Sequence, residues 1–282
     1  MTTTVYSSTE VDALIAAIPS GAGGGRTRLT AWANFYADAS AGNDTNTGLS
    51  WASAWKTAQR AIDYVSKNVD FCDLGVLVNC KGTFTDPVTI AGPFVGDRGG
   101  SFNLIGSTAD KTVATFTAAI NVINGAHVSL QWLTVGGTPA VPSGGLIIST
   151  RAQVDVFNVR FGACPNRCVE AASGFFVQDD VIEIAADSPY FMVLESGANG
   201  SLTGNITAIG GTRNFSNAFL NVNAYSTCET SGMTKTGSFT GTQAQLLGGY
   251  LNADTLTALP GNAPVVGYHD PASLYYVGGV RQ

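Results

Sequence analysis

The sequence predicts an all-β chain wound as a single-stranded, right-handed parallel β-helix, and three observations carry that expectation. First, Val128-Ser-Leu-Gln-Trp-Leu-Thr-Val135 and Val154-Asp-Val-Phe-Asn-Val-Arg-Phe161 match almost position for position, with Val128, Leu130, Leu133 and Val135 answered by Val154, Val156, Val159 and Phe161. Steps of two are strand periodicity, and the step of three between them spends one residue on a bend, so each segment reads as a strand turning a corner. Second, blurred copies start at Val76, Phe102, Val177 and Leu202, which gives a period of about 25 residues, in the range of stacked repeats. Third, turn formers recur with the repeat, at Gly99-Gly100, Gly136-Gly137-Thr138-Pro139, Pro142-Ser143-Gly144-Gly145 and Gly210-Gly211.

Propeller blades need about 40 residues or more, and helical repeats need a 3.6-residue period that is missing from the repeat region. In a parallel β-helix each coil stacks about 4.8 Å from the next, and the inward valines and isoleucines form one long core. An antiparallel sandwich with evenly spaced strands is the alternative. The expected division is an N-terminal helix and Gly linker (1–25), an N-terminal module with a capping helix (26–74), the β-helix (75–250) and an irregular tail (251–282).

Composition agrees. The 282 residues are 45% hydrophobic and 12% charged, which supplies ample core. Thirty-four glycines and ten prolines among dense apolar residues indicate many turns rather than disorder. A net charge of -6 gives no reason to expect nucleic acid or an anionic membrane as partner. No apolar run reaches the ~18 residues of a membrane span, and the start lacks the basic residues and cleavage site of a secretory signal.

Residues Thr9 to Ile18 predict a short amphipathic helix, capped by Ser8 or Thr9 and ended by Pro19-Ser20-Gly21. Val11, Leu14, Ile15 and Ile18 form its apolar stripe. Such a short helix is marginal alone, and Gly21 to Gly25 make a flexible joint, so the stripe is expected to meet identical copies or a larger assembly. Farther on, Trp55, Ala58, Ile62 and Val65 mark a helix over Ala54–Val65. Laid across the open end of the solenoid, it covers apolar core and unpaired strand edges together.

The pattern Tyr36…Gly42-Asn-Asp44…Gly48-Leu-Ser, then Trp55-Lys-Thr57, Ala61-Ile62, a strand and Gly82-Thr-Phe84, resembles the opening of pectin-lyase-like right-handed β-helices, especially those of bacteriophage tail spikes and virion fibres. The Val5-Tyr6-Ser-Ser-Thr-Glu10 opening is similar to the N-terminal segment of many phage fibre proteins. The resemblance covers roughly residues 5 to 106 by motif and the remainder by repeat character. It implies a homotrimeric structural protein of the virion, assembled in host cytoplasm, held to other virion proteins by the N-terminal helix and exposed for contact with the host surface, bacterial glycan included. The alternative within the same resemblance is a depolymerase that cleaves that glycan.

No cofactor is expected. Gly42 to Gly48 is rich in oxygen side chains but lacks the alternation and terminal Glu of a calcium loop, and Asx turns explain the same residues. Five cysteines with two histidines and no Cys-x-x-Cys pair argue against zinc. Cys80 has inward parity with Val76 and Val78, so a buried thiol is expected there. Bridges between Cys72 and Cys80 and between Cys164 and Cys168 stay open beside free thiols.

Catalysis on a polysaccharide needs paired carboxylates, or a carboxylate with a strong base. Stacking the rungs in phase places Thr134, Arg160, Glu183 and Ala208 in one outward column and Ser129, Asp155, Gln178 and Thr203 in another. Asp155, Asp180 and Glu183 are therefore the acid candidates, with Asp155 and Asp180 about 8 Å apart by strand geometry. The structural account is favoured: Arg160 beside Glu183 reads as an inter-rung ion pair, and His127 falls at a rung boundary. Asp179 lands on an inward position, which signals a bulge or a one-residue slip of register. Trp132, Asn158, Val181 and Ile206 form an outward column beside Phe157, and Trp132, Phe157, Val181 and Ile206 are the expected trimer face.

Overall fold

The structure is a computed structural model that describes residues 25–97, 102–136, 144–267, 274–277 and 280–281. The segment carrying Val11, Leu14, Ile15 and Ile18 lies outside the described residues. The chain is a parallel β-solenoid in which each full coil contributes three strands, one to each of three walls. Two successive coils show the plan: His127–Gln131, Thr134–Val135 and Gly144–Ser149, then Gln153–Phe157, Val159–Phe161 and Arg167–Ala172. The first and second walls join into one 17-stranded sheet because Val76–Phe84 runs straight through their corner, while the third wall is a separate sheet of eight strands.

Alternation decides which side chains point inward. On the first wall Val76, Phe102, Val128, Val154 and Phe176 pair in register, and all are fully buried. On the third wall Ile120, Leu146, Val169, Met192 and Leu220 do the same. Aromatic residues stack along the axis inside this core, Phe191 on Phe219 with centroids 5.0 Å apart and Phe94 on Phe102 at 4.8 Å, each worth roughly 1 kcal/mol beyond the area buried.

The return from the third wall to the first is a tight turn held in the left-handed region, as at Asn124 and Gly125, Ser196 and Gly197, and Ala224 and Tyr225. Neighbouring turns bond rung to rung, with the Gly125 N–H donating to the Thr150 carbonyl at 3.0 Å and the Tyr225 N–H to Gly248 at 2.9 Å. Backbone polar groups are thus satisfied at the corner as well as in the walls.

The capping helix spans Ala58–Asn68, later than the expected Ala54–Val65. The difference has a clear cause. Asp44 Oδ1 accepts the N–H groups of Lys56 and Thr57, both at 2.9 Å, which holds the chain extended until Thr57 caps the helix by accepting from the Arg60 N–H. Trp55 forms a bridge with Ala37 instead of a helical turn and packs on Phe35 and Tyr64. The predicted stripe itself holds, since Trp55, Ala58, Ile62 and Val65 are all buried. Within the Gly42 to Gly48 loop, Asn43 makes an Asx turn by accepting the Thr45 N–H at 3.0 Å.

Stacking begins before Gly75, with Ala33–Asp38 paired to the strand that starts at Val76. It also passes the expected end at Tyr250, because Tyr250–Ala253 pairs in parallel with Leu274–Val277. All five cysteines are free thiols, and Cys80 is buried as its parity predicts. No helix among the described residues is long and apolar enough to cross a membrane.

The expected register holds through the coil of Val154 and then fails. Phe176, not Val177, pairs with Val154, and Gln178 pairs with Val156 and points into the core. The next corner is one residue longer: Asp179, Asp180 and Val181 separate Gln178 from Ile182, where Phe157 and Asn158 alone separate Val156 from Val159. Gln178 tolerates burial because its amide donates to the Asp180 carbonyl at 2.7 Å and the Asn205 carbonyl at 3.2 Å. Gly204 leaves room for this, since a Cβ there would lie 2.0 Å from the Asp180 oxygen.

Candidate functional site

Side chains on the outer faces of the first and second walls meet in fixed columns, because parallel pairing repeats each outward position every rung. Three clusters result.

The first joins His127, the opening residue of its strand, to Asp155 on the next rung. His127 pairs with Gln153 and Ser129 with Asp155, so the imidazole reaches the carboxylate diagonally. His127 Nε2 lies 2.6 Å from Asp155 Oδ2, and Gln153 Nε2 donates to Asp155 Oδ1 at 2.9 Å. The hydrogen bond to Asp155 holds the imidazole above its ordinary range against partial burial, helped by the charges of Asp155 and Asp97. Asp179 is pushed up, first by burial and then by the Asp155 charge. The acid that feels Asp155 is therefore Asp179. Asp180, the expected partner, instead accepts a hydrogen bond from Asn158 Nδ2.

A sign follows for stability. His127 has a raised folded pKa, so its contribution is fully present below the unfolded value of about 6.5 and is lost as pH rises through the folded value. His127→Gln is expected to lower the melting temperature most near pH 6 and progressively less toward pH 9. Equal losses across that range would show that the pair acts by packing alone.

The second cluster is on the second wall. Arg160 pairs with Glu183 in the strand register, and Arg160 Nε donates to Glu183 Oε2 at 2.7 Å, which is the expected inter-rung ion pair. Sequence reasoning missed Lys111, whose Nζ lies 2.5 Å from Glu183 Oε1. It comes from a 3-10 turn, Lys111–Val113, in a connection outside the repeat, and the Lys111 carbonyl accepts from Thr134 Oγ1 at 3.0 Å on the first of the two intervening coils. All three ionic side chains are largely buried. Burial pushes the Glu183 carboxyl up, but hydrogen bonds and charge from Lys111 and Arg160 more than offset it and leave the group below its ordinary value.

The third is an open groove of about 320 Å³ on the first wall, over the last coils. Parallel pairing sets Phe175, Asn199, Thr227 and Tyr250 in one column and Val177, Ser201, Glu229 and Asn252 in the next. In the first column the shorter Asn199 and Thr227 lie between the rings of Phe175 and Tyr250. Its threonine hydroxyl, Thr227 Oγ1, donates to Asn199 Oδ1. No sequence signal isolated this groove, since its residues are ordinary members of the outward alternation.

The expected trimer face divides. Trp132, Phe157 and Val181 are half-buried at the corner between the first and second walls, but Ile206 is fully buried. Leu202 pairs with Gln178 and so sits at the position of Leu130 and Val156, not at that of Val128, which leaves Asn205 in the column position assigned to Ile206, and Ile206 pairs inward with Ile182. Among the described residues no group of three His, Cys, Asp or Glu side chains is placed to hold a metal ion.

Fold and faces together define a parallel β-solenoid with polar clusters on two adjoining walls. No protein-family model and no curated protein matches the chain.

Proposed function

We propose that this protein is a structural component of a bacteriophage particle, a fibre, spike or decoration protein that presents a homotrimeric β-helix to the host surface. The observation that carries the structural reading is the state of the candidate acids. Glu183 is held by Lys111 and Arg160, Asp155 by His127 and Gln153, and Asp180 by Asn158, so each is committed to tying rungs together. The virion assignment rests on the opening motif from Tyr36 to Phe84 and on the stacked-coil fold it resembles. The half-buried corner of Trp132, Phe157 and Val181 supports association of copies along the axis, with other virion proteins meeting the segment around Val11 to Ile18.

One observation favours the depolymerase alternative: Asp179 is raised above its ordinary range beside Asp155, which is how paired carboxylates divide acid and base roles. Incubating the purified chain with host polysaccharide separates the two. The structural reading expects cell adsorption without released oligosaccharide, and adsorption unchanged by Asp155→Ala or Asp180→Ala. Release of oligosaccharide that disappears in Asp155→Ala or Asp179→Ala would overturn it. Sedimentation tests the trimer separately, and a mass near that of one 29.1 kDa chain at micromolar concentration would exclude it.

A further inference from the structure

We propose that Cys164 and Cys168 form a redox site at the corner between the second and third walls, where a small hydroperoxide converts the two thiols into a bridge that pins the start of a third-wall strand. Both are free thiols and both are buried, Cys168 completely and Cys164 at 3% exposure. Cys168 belongs to the strand Arg167–Ala172, in which Arg167 and Val169 pair with Gly144 and Leu146 on one side and with Tyr190 and Met192 on the other. Cys164 precedes it in the corner, and its carbonyl accepts from Ser188 Oγ on the next coil at 3.1 Å. Neighbouring coils therefore fix the backbone that carries each thiol.

The two thiols lie within hydrogen-bonding reach of each other. The Cys168 thiol is pushed well above its ordinary range, first by its hydrogen bond with Cys164 and then by burial, with a hydrogen bond from Ser188 acting the other way. Cys80 and Cys228 are also buried, but burial is the leading cause of their rise to about 12. Two glycines of the preceding coil make room for the pair. A Cβ on Gly145 would stand 3.2 Å from Cys164 Sγ and 3.3 Å from the Cys168 carbonyl oxygen, and one on Gly136 would stand 2.9 Å from Cys164 Sγ.

Access limits the oxidant. Cys164 borders a cleft of about 10 Å³ with Gly136 and Gly145, and it also lines an open hollow of about 320 Å³ with Pro165, Ser188 and Pro189. The cleft has the room of about one water molecule, so hydrogen peroxide suits it and a glutathione-sized disulfide does not. The Cys164 thiolate attacks one peroxide oxygen and the O–O bond breaks, leaving a sulfenic acid and a hydroxide that takes up the proton the thiol gave to solvent. The Cys168 sulfur then attacks the Cys164 sulfur and displaces its hydroxyl group, which leaves as water with the Cys168 proton. Two thiols together lose two electrons and two protons, and the peroxide becomes two waters. The bridge closes a short loop, which raises the melting temperature by a few degrees.

The test treats the full chain at pH 8 with enough hydrogen peroxide to oxidise the more exposed Cys72, alkylates the remaining thiols and digests with trypsin without reduction. Trypsin cuts between Arg167 and Cys168, so a bridge keeps the two products joined until dithiothreitol parts them. The joined pair, a melting temperature raised by a few degrees and reversal of both by dithiothreitol are expected. Absence of the joined pair, arrest of Cys164 at a sulfinic or sulfonic acid, or a bridge from either residue to another cysteine overturns the site. In Cys164→Ser, Cys168 should stay reduced under the same treatment, and its oxidation at the wild-type rate would show that the two thiols react independently. Mapping of the wild-type chain decides the matter by itself if that variant does not fold.

Discussion

Val156→Asp is expected to destabilise the protein by roughly 4 kcal/mol or more, because it places a carboxylate where no cation or water compensates it. Val156 is fully buried, stacked between Leu130 and Gln178 on adjoining rungs of the first wall. Gln178 offers no rescue, since its amide nitrogen already bonds two backbone carbonyls. Val156→Ala should cost about 2 kcal/mol through the lost methyl groups and the cavity they leave. Chemical denaturation of the two variants measures the gap between them, which isolates the charge. A near-equal loss would mean that this rung opens readily to water, and the continuous core described above would be wrong there.

The second large effect is expected at Glu183. Glu183→Gln leaves Lys111 and Arg160 side by side without their shared anion, at a cost of about 1–3 kcal/mol once partial solvent exposure is discounted. The pH dependence has a definite sign. Glu183 has a folded pKa below its ordinary value, so its contribution is fully present above the unfolded value of about 4.3 and is lost as pH falls through the folded value. Melting curves of wild type and Glu183→Gln should therefore differ at pH 7 and converge as pH falls through the depressed folded value. A difference that persists into strong acid would show that shape rather than charge holds the cluster.

These predictions depend on register, and register marks where the sequence is legible. The pairing of Val128 with Val154 and of Leu130 with Val156 could be read directly, because apolar residues recur at the same four offsets in both coils. From that reading the Arg160–Glu183 pair followed, since the offset to Ile182 and Ile184 was still visible. Phe176 and Gln178 broke the reading. A polar amide at an inward position looks outward to any pattern based on hydrophobicity, and Leu202, the inward partner of Gln178, then read as the first residue of its rung, which put Ile206 onto the surface on paper. Two bonds to carbonyls make that amide acceptable in the core, and such bonds leave no trace in a linear pattern.

Contacts from outside the repeat were equally hidden. Lys111 comes from a connection whose sequence does not say which rung it will cover. His127 was visible as a rung-boundary residue, yet its diagonal to Asp155 needs the lateral geometry of neighbouring strands as well as their order. The third wall, with its long strands Ser188–Glu195 and Arg213–Asn223, lay beyond the two-strand motif from which the period was read.

Lys111 also has a mechanical consequence. A stack of coils joined only by bonds between nearest neighbours yields to an axial pull from its end, one rung at a time. Here the Lys111 backbone is fastened to the coil of Thr134 while its ammonium grips Glu183, which lies beyond the coil of Arg160. A tie that skips a layer shares load among the layers it crosses, so the coils from Ala114 to Ile184 should give way together. A rod that has to transmit force between its two ends gains a stiff segment in its middle from a single lysine.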